Sequence, residues 1–443
     1  MKHKYLLTLV TVPLLASLSC FRTIQKTFET SAYDRVATLP KTLNLNDLSD
    51  DAIRSYYSAL NDKSDSERQG DNLLKNLKGI LKNGQKYYSY DNATGKKDIW
   101  KIYEIVDRDW KKSPASAILG YDASTNTVSG YTYNGEDDPY VHALYVDRSV
   151  DNQMHAWANH NQTEWGINQE HIWAKSQGFE EEGSGGARGD IMHLWAADGK
   201  SNWLHLNYTY GYVDKTKTIE KPGDISYAQN NLRGTSKTIG SGTVFEPQDS
   251  DKGDIARALF YMAARYNNFD GDTAIDSDNP NLRLTNMTGT KESYTSSVSV
   301  VGEYGVIDDL LEWNKLDPVD EFELHRNNLC YNNYTNNRNP FIDFPEWADM
   351  IWGADKNTKS ANPSTDEIAR AQDYVPKTSD DTKGDNWIPG VDNKIVIIGA
   401  VVVGVVILVV VVFVLAKGNK KQKKALKKTA KKVVKSSTKS KKK

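Results

Sequence analysis

Glu170 and His171 stand side by side in the run WGINQEHIWAKSQGF, and they open the part of this 443-residue chain best equipped for catalysis. Further on, ARGDIMHLWAADGKSNWLHLNYTYG supplies Arg188, Asp190, His193, Asn202 and His205. Such types suit the hydrolysis of a phosphate diester. An imidazole takes a proton from water, one or two oxygen ligands hold a hard divalent cation, and a guanidinium sits beside the phosphate. Adjacent residues on a strand point to opposite faces, so Glu170 and His171 can share a site only where a strand ends or bends. On residue types alone, any single histidine here is as easily structural as catalytic.

Several elements must position these residues. From 50 to 81 the pattern is helical, with Leu73, Leu74, Leu77, Ile80 and Leu81 on one face. Residues 87–145 are rich in Tyr, Gly, Asn and Asp and read as strands and turns, and ALYV at 143–146 reads as a strand. GDIARALFYMAARY is a helix, with Asp254 as its expected cap and Ile255, Leu259, Met262 and Tyr266 as its apolar stripe. A second helix-rich region covers 306–352. Asp270, Asp272 and Asp276 resemble a calcium loop but lack its closing glutamate, and read as a solvated turn. The fold class expected is α+β.

Both ends of the chain carry sorting signals. Lys2 and Lys4 precede an apolar run over 5–18, the pattern of a secretory signal covering 1–19. Cys20 is a candidate lipid acceptor after cleavage, although Ser17 stands where a lipobox carries Leu. At the other end, 395–416 has no charged or polar side chain, and its 22 residues would span about 33 Å as a helix, enough for a bilayer core. The 14 lysines of 417–443 mark the cytoplasmic side. The expected layout is therefore a signal (1–19), a spacer (20–45), a catalytic domain (46–353), a polar stalk (354–394), one transmembrane helix (395–416) and a cytoplasmic tail. The catalytic domain would face outward at the cell membrane.

That layout changes the meaning of the charge. The whole chain is formally −2, but without the tail lysines, Lys2 and Lys4 the rest holds 40 basic against 58 acidic side chains, or −18. A body this acidic does not draw in polyanions through its overall field. Contacts to a polyanion must come from a local basic patch and a cation. The only cysteines are Cys20 and Cys330, so stability must come from the core, and Cys330 reads as a small buried hydrophobe.

NQEHIWAKS, ARGDIMHLWAADGKSN and NYTYG resemble the endonuclease I family of secreted bacterial nucleases, whose patterns run close to NREHVWPxS and ARSDLHHLxPxDGxVNxxRGNYPFG. KGDIARALFYMAARY, LLEWNKLDPVDEFELHRNN and NRNPFIDFPEWADMIWG agree in the same order, over roughly 50–353. The resemblance implies helices and short strands around a ββα-metal (His-Me finger) site. His171 would be the general base, and Glu170 and Asn202 would hold Mg²⁺ or another divalent cation such as Ca²⁺ or Mn²⁺. Arg188 would contact phosphate. Asp190, His193, His205 and Asn207 would touch substrate or support the site. Arg257, on the helix, could reach substrate but is at least as well suited to pair with local carboxylates. The substrate implied is DNA, with RNA as a second candidate, cut with low sequence specificity. The partners expected are nucleic acid and membrane, with no protein partner. Gln169, Ala174, Met192 and His205 depart from the pattern, at Arg, Pro, His and Arg positions. His205 for Arg suggests weaker or pH-sensitive phosphate binding. Two rival readings are an inactive nucleic-acid-binding surface protein, and an adhesin presenting Arg188-Gly189-Asp190.

Overall fold

The computed structural model describes residues 37–88, 90, 98–133, 139–146, 149–151, 166–179, 186–223, 228–268, 280–286 and 302–372. The expected signal, calcium-like turn, membrane span and lysine-rich tail lie outside them. Among the described residues no helix is long and apolar enough to cross a membrane.

Local pattern sets the first helices. In α1 (Asp50–Tyr56), the Ser49 side chain caps the start by accepting from the Ala52 amide. In α2 (Gly70–Lys82), Leu73, Leu74, Leu77 and Leu81 are buried as their spacing predicts. The helical stretch expected over 50–81 is interrupted between the two, where Ser64 and Glu67 form a capping box on a short 3-10 turn. Next comes α3 (Asp98–Val106).

The strands are short and grouped in small sheets. β1 (Thr42–Asn44), β2 (Tyr121–Asp122) and β3 (Thr127–Ser129) form one antiparallel sheet with β3 in the middle. β4 (Tyr140–His142) pairs with β5 (Ser149–Asp151). β6 (Ile167–His171) pairs with β7 (Leu194–Asp198), and α4 (Gly199–His205) follows at once. The order in the next sheet is β8 (Thr209–Tyr210), β11 (Thr243–Glu246), β10 (Leu232–Thr235), β9 (Ile219–Glu220), and only β8 and β11 run parallel. β12 (Leu282–Leu284) and β13 (Gly302–Tyr304) form a parallel pair. The strand expected at 143–146 is absent. Tyr145 adopts φ +73°, a left-handed conformation no extended strand accommodates, and the pairing with β5 ends at His142.

The centre of the fold is α5 (Lys252–Arg265). Every residue of it is buried, so it is a core helix rather than a surface helix with one apolar stripe. It packs against α2 and against α6 (Ile307–Leu316). Asp254 does not cap it. The Gly253 amide donates to Asp317 instead (2.8 Å), and Asp254 lies inside the first turn beside Arg257. After α7 (Glu321–Leu329) the NRNPFIDFPEW segment builds α8 (Pro340–Asp343) and α9 (Trp347–Ile351). Its architecture follows from its residues. Asn339 caps α8, Pro340 takes the first helical position, and Phe344 stacks on Trp347 at 4.3 Å. Cys330 is fully buried, and burial pushes its thiol up to about 12.

Residues 354–372, which composition assigns to the stalk, run along the domain. Ala361 and Ile368 are buried in its core, and Arg68, Asp343 and Val319 accept backbone hydrogen bonds from this segment. Two apolar anchors and an Asp366 carboxylate that accepts from the Trp347 indole (2.7 Å) are enough to fix a segment that reads as polar. The described architecture is α+β.

Candidate active site

The β6–β7 hairpin fixes Glu170 and His171. Glu170 lies opposite Trp195 and His171 opposite Leu194, and the strand ends at His171. The end of the strand lets both side chains line one cleft of about 200 Å³. Asp198 closes β7 and caps α4, accepting from the Ser201 amide at 2.9 Å. That tight junction lays α4 across both strands and brings Asn202 into the same cleft, with Asn207 just beyond the helix.

Glu170 is buried, and three polar groups crowd one of its oxygens. Oε1 accepts from the Tyr145 hydroxyl (2.6 Å) and faces His205 Nδ1 (2.8 Å), with the Tyr210 hydroxyl at 3.3 Å. Oε2 is the oxygen left for a ligand. His205 is wholly buried and stacked on Tyr210 at 4.5 Å. Its Nε2 faces the Tyr208 carbonyl (2.9 Å). Of the two roles open to His205, the structure gives the supporting one: it holds Glu170 from behind and does not line the cleft, so it offers no contact to phosphate there.

His171 is anchored through Nε2, which lies 2.9 Å from the Arg188 carbonyl. A carbonyl only accepts, so Nε2 carries the hydrogen and Nδ1 keeps its lone pair. Burial, then the charge of Lys175 and the neighbouring His193, hold this imidazole well below its usual range, so it stays neutral. The edge of Tyr90 packs against it at 4.5 Å. A neutral imidazole with one nitrogen tied down is a directed proton acceptor at the other.

The carbonyl that orients His171 belongs to a short 3-10 turn, Gly186–Gly189. His193 pins that turn by donating from Nε2 to the Ala187 carbonyl (2.7 Å). Burial pushes the His193 imidazole down to about 4. The unfolded chain then takes up a proton below about 6.5 that the folded chain refuses until about 4. Stability contributed by neutral His193 is fully present above that window and is lost as pH falls through it, by about 3 kcal/mol in all. His193→Gln is expected to flatten the wild-type decline in unfolding free energy between pH 7 and pH 4.5, measured by denaturant titration. An unchanged slope would refute the assignment.

Of the other expected residues, Asn207 lines the cleft and Arg188 stands at its margin, its guanidinium 5.2 Å from the centre of the Tyr90 ring. Asp190 is buried and points inward, accepting from Gln85, Tyr261 and Tyr266, each at 2.7 Å. A receptor for Arg-Gly-Asp cannot reach it, which removes the basis of the adhesin reading. Arg257 is fully buried, with Nε 2.7 Å from Glu323 and a further ion pair to Asp254. It does not meet substrate.

Two residues escape a reading of sequence. Tyr90 lies 80 positions before Glu170 in an undistinguished Tyr-rich stretch. Lys175 places its ammonium 5.0 Å from the centre of the Tyr90 ring, opposite in sequence to Arg188 but on the same aromatic. Tyr90 thus gathers two cations beside His171, which is the local basic patch an acidic body needs. The KS pair after the strand was the available signal for Lys175; Tyr90 had none.

A hairpin, a following helix, a directed imidazole and flanking cations are the equipment of a nuclease, and comparison with known proteins agrees on that class: the chain hydrolyses phosphodiester bonds in nucleic acid. It belongs to the Endonuclease I family, whose model matches residues 70–346. The extracellular ribonuclease of Bacillus subtilis (strain 168) is 33% identical over 302 residues, covering 67% of this chain and 78% of that protein. The extracellular ribonuclease of Bacillus amyloliquefaciens is 40% identical over 186 residues, covering 42% of this chain and 53% of that protein. Members of this family generally depend on a divalent metal.

Proposed function

We propose that the chain is a surface-anchored, divalent-metal-dependent nuclease of low sequence specificity that cuts external DNA and RNA. The observation that carries this is the cleft itself, in which a neutral, Nε2-anchored His171 lies beside Glu170 and Asn202. RNA gains weight as a substrate because both relatives are named as extracellular ribonucleases.

The residues fit a hard cation. Glu170 Oε2 and the Asn202 carboxamide oxygen are hard donors in one cleft, and a cation such as Mg²⁺ needs few protein ligands when water and phosphate fill the rest. Among the described residues no group of three or more His, Cys, Asp or Glu is placed to hold a metal, so the proposed site rests on one carboxylate and one carboxamide. Bound there, Mg²⁺ (or Ca²⁺ or Mn²⁺) would supply positive charge to the phosphate in the transition state. In this reading β6, β7 and α4 form the ββα-metal site. His171 Nδ1 takes the proton from the attacking water. The Arg188 carbonyl keeps the imidazole oriented, and Tyr145, Tyr210 and His205 keep Glu170 turned to the cleft. Arg188 and Lys175 attract the phosphate. Contacts to phosphate carry no base information, hence the low specificity.

The proposed layout places a signal at 1–19, the span at 395–416 and the lysine-rich tail inside, where it lies on anionic lipid. Intact cells expressing the chain are expected to cut added plasmid and RNA, to stop when a chelator is added, and to lose the activity to external protease. Cutting that resists protease on intact cells would contradict the surface placement. Cutting that resists chelator would contradict the metal.

A further inference from the structure

Only four large hydrophobic side chains are exposed among the described residues, and two of them, Trp203 and Leu206, line the cleft that holds Glu170, His171 and Asn202. We propose that Trp203 and Leu206 form a stacking platform for unpaired nucleobases and make single-stranded polynucleotide the preferred substrate. The inference rests on the nuclease site proposed above and adds the class of substrate that the site selects.

Three observations support it. Trp203 directly follows Asn202 on α4 and is 47% exposed, whereas its helix neighbours Ser201, Leu204 and His205 are buried. Among the described residues no ring or cation stacks on the Trp203 indole. A large aromatic left open beside a phosphate site has a free π-face at the place where a base adjoining that phosphate would lie.

Leu206 adds a backbone argument. It holds φ +54° and ψ −111°, a conformation that favours glycine, at the corner of a turn closed by the Tyr208 amide on the His205 carbonyl (3.0 Å). Leu206 is 44% exposed, so core burial does not offset that strain. Strain kept at an exposed apolar residue on the rim of a catalytic cleft points to function rather than to stability.

Charge gives the third reason. With −18 on the body of the chain and few cations in the cleft, phosphate contacts alone give weak binding. Base stacking supplies affinity that is independent of the field, but only from a base already out of its stack. A duplex keeps its faces covered and gains nothing from the platform.

The test compares kcat and KM of the full-length chain on one sequence offered as single-stranded RNA, single-stranded DNA and duplex DNA, with Mg²⁺. Wild type is expected to favour both single strands. Trp203→Ala is expected to raise KM on both by about tenfold with kcat little changed, and to leave the duplex values alone. Trp203→Phe, which keeps a smaller π-face, should recover most of the loss. Leu206→Gly should weaken single-strand binding without lowering the unfolding midpoint, since it relieves the strain. An unchanged single-strand KM in Trp203→Ala, or an equal loss on duplex, overturns the platform while wild-type cutting leaves the nuclease site standing. A wild type that cuts nothing with Mg²⁺ overturns both.

Discussion

His171→Ala is expected to lower kcat by about 100- to 10,000-fold while leaving KM and metal affinity near wild type. The imidazole is the one group in the cleft that is neutral, buried and directed, with Nε2 spent on the Arg188 carbonyl and Nδ1 left to take a proton. Alanine keeps Glu170 and Asn202 in place, because Glu170 is held by Tyr145, Tyr210 and His205 rather than by His171. The structural loss is one hydrogen bond to a backbone carbonyl, about 1 kcal/mol, so the fold survives. Single-turnover kinetics at saturating substrate read the effect, with the unfolding midpoint as control. A variant that cuts within a few-fold of wild type would show that the base lies elsewhere.

The second large effect is on stability. Arg257→Ala is expected to destabilise the fold by about 3–5 kcal/mol, because it leaves Glu323 and Asp254 buried without their counter-charge. Burial, then Glu323, already pushes the Asp254 carboxyl well above its usual range, and Arg257 is the group that opposes this. The Arg257 guanidinium also donates to the Asp317 carbonyl (2.8 Å), so its loss strands a backbone acceptor as well. Equilibrium unfolding in denaturant measures the change. A loss below about 1 kcal/mol accompanied by a raised KM would return Arg257 to the substrate-binding role its position in sequence suggested.

That Glu170, His171 and Asn202 share one cleft was legible because they are close in sequence and built by local rules. A strand that ends at His171, a partner strand that ends at Asp198, and an Asp cap that starts the next helix place Glu170, His171 and Asn202 together within one hairpin and one helix. What surrounds them was not legible, because it arrives from far away in the chain. Tyr90 and Tyr145 come from separate segments, and no periodicity marks a tyrosine whose ring will gather two cations or whose hydroxyl will face a buried carboxylate. His205 and Arg257 left two roles open for the same reason. A polar residue looks like a surface residue until a distant partner is seen, here Glu170 for one and Glu323 for the other. ALYV had the composition of a strand, and only the left-handed backbone at Tyr145 shows that it turns instead. The helix 252–265 was recognised by its apolar stripe, but its polar face is buried too, through ion pairs that no stripe reveals.

In the proposed site Glu170 and Asn202 hold the cation beside the His171 base. Calorimetric titration of metal-stripped full-length chain with Mn²⁺, followed by a cleavage assay on the same samples, tests it directly. Wild type and His171→Ala are expected to bind one ion alike, with only wild type regaining activity. Glu170→Ala and Asn202→Ala are expected to bind about tenfold or more weakly, since even residues that only support a metal ligand cost that much. If either of those two variants binds and cuts like wild type, or if the stripped wild type cuts with chelator present, the cation is held elsewhere or not needed.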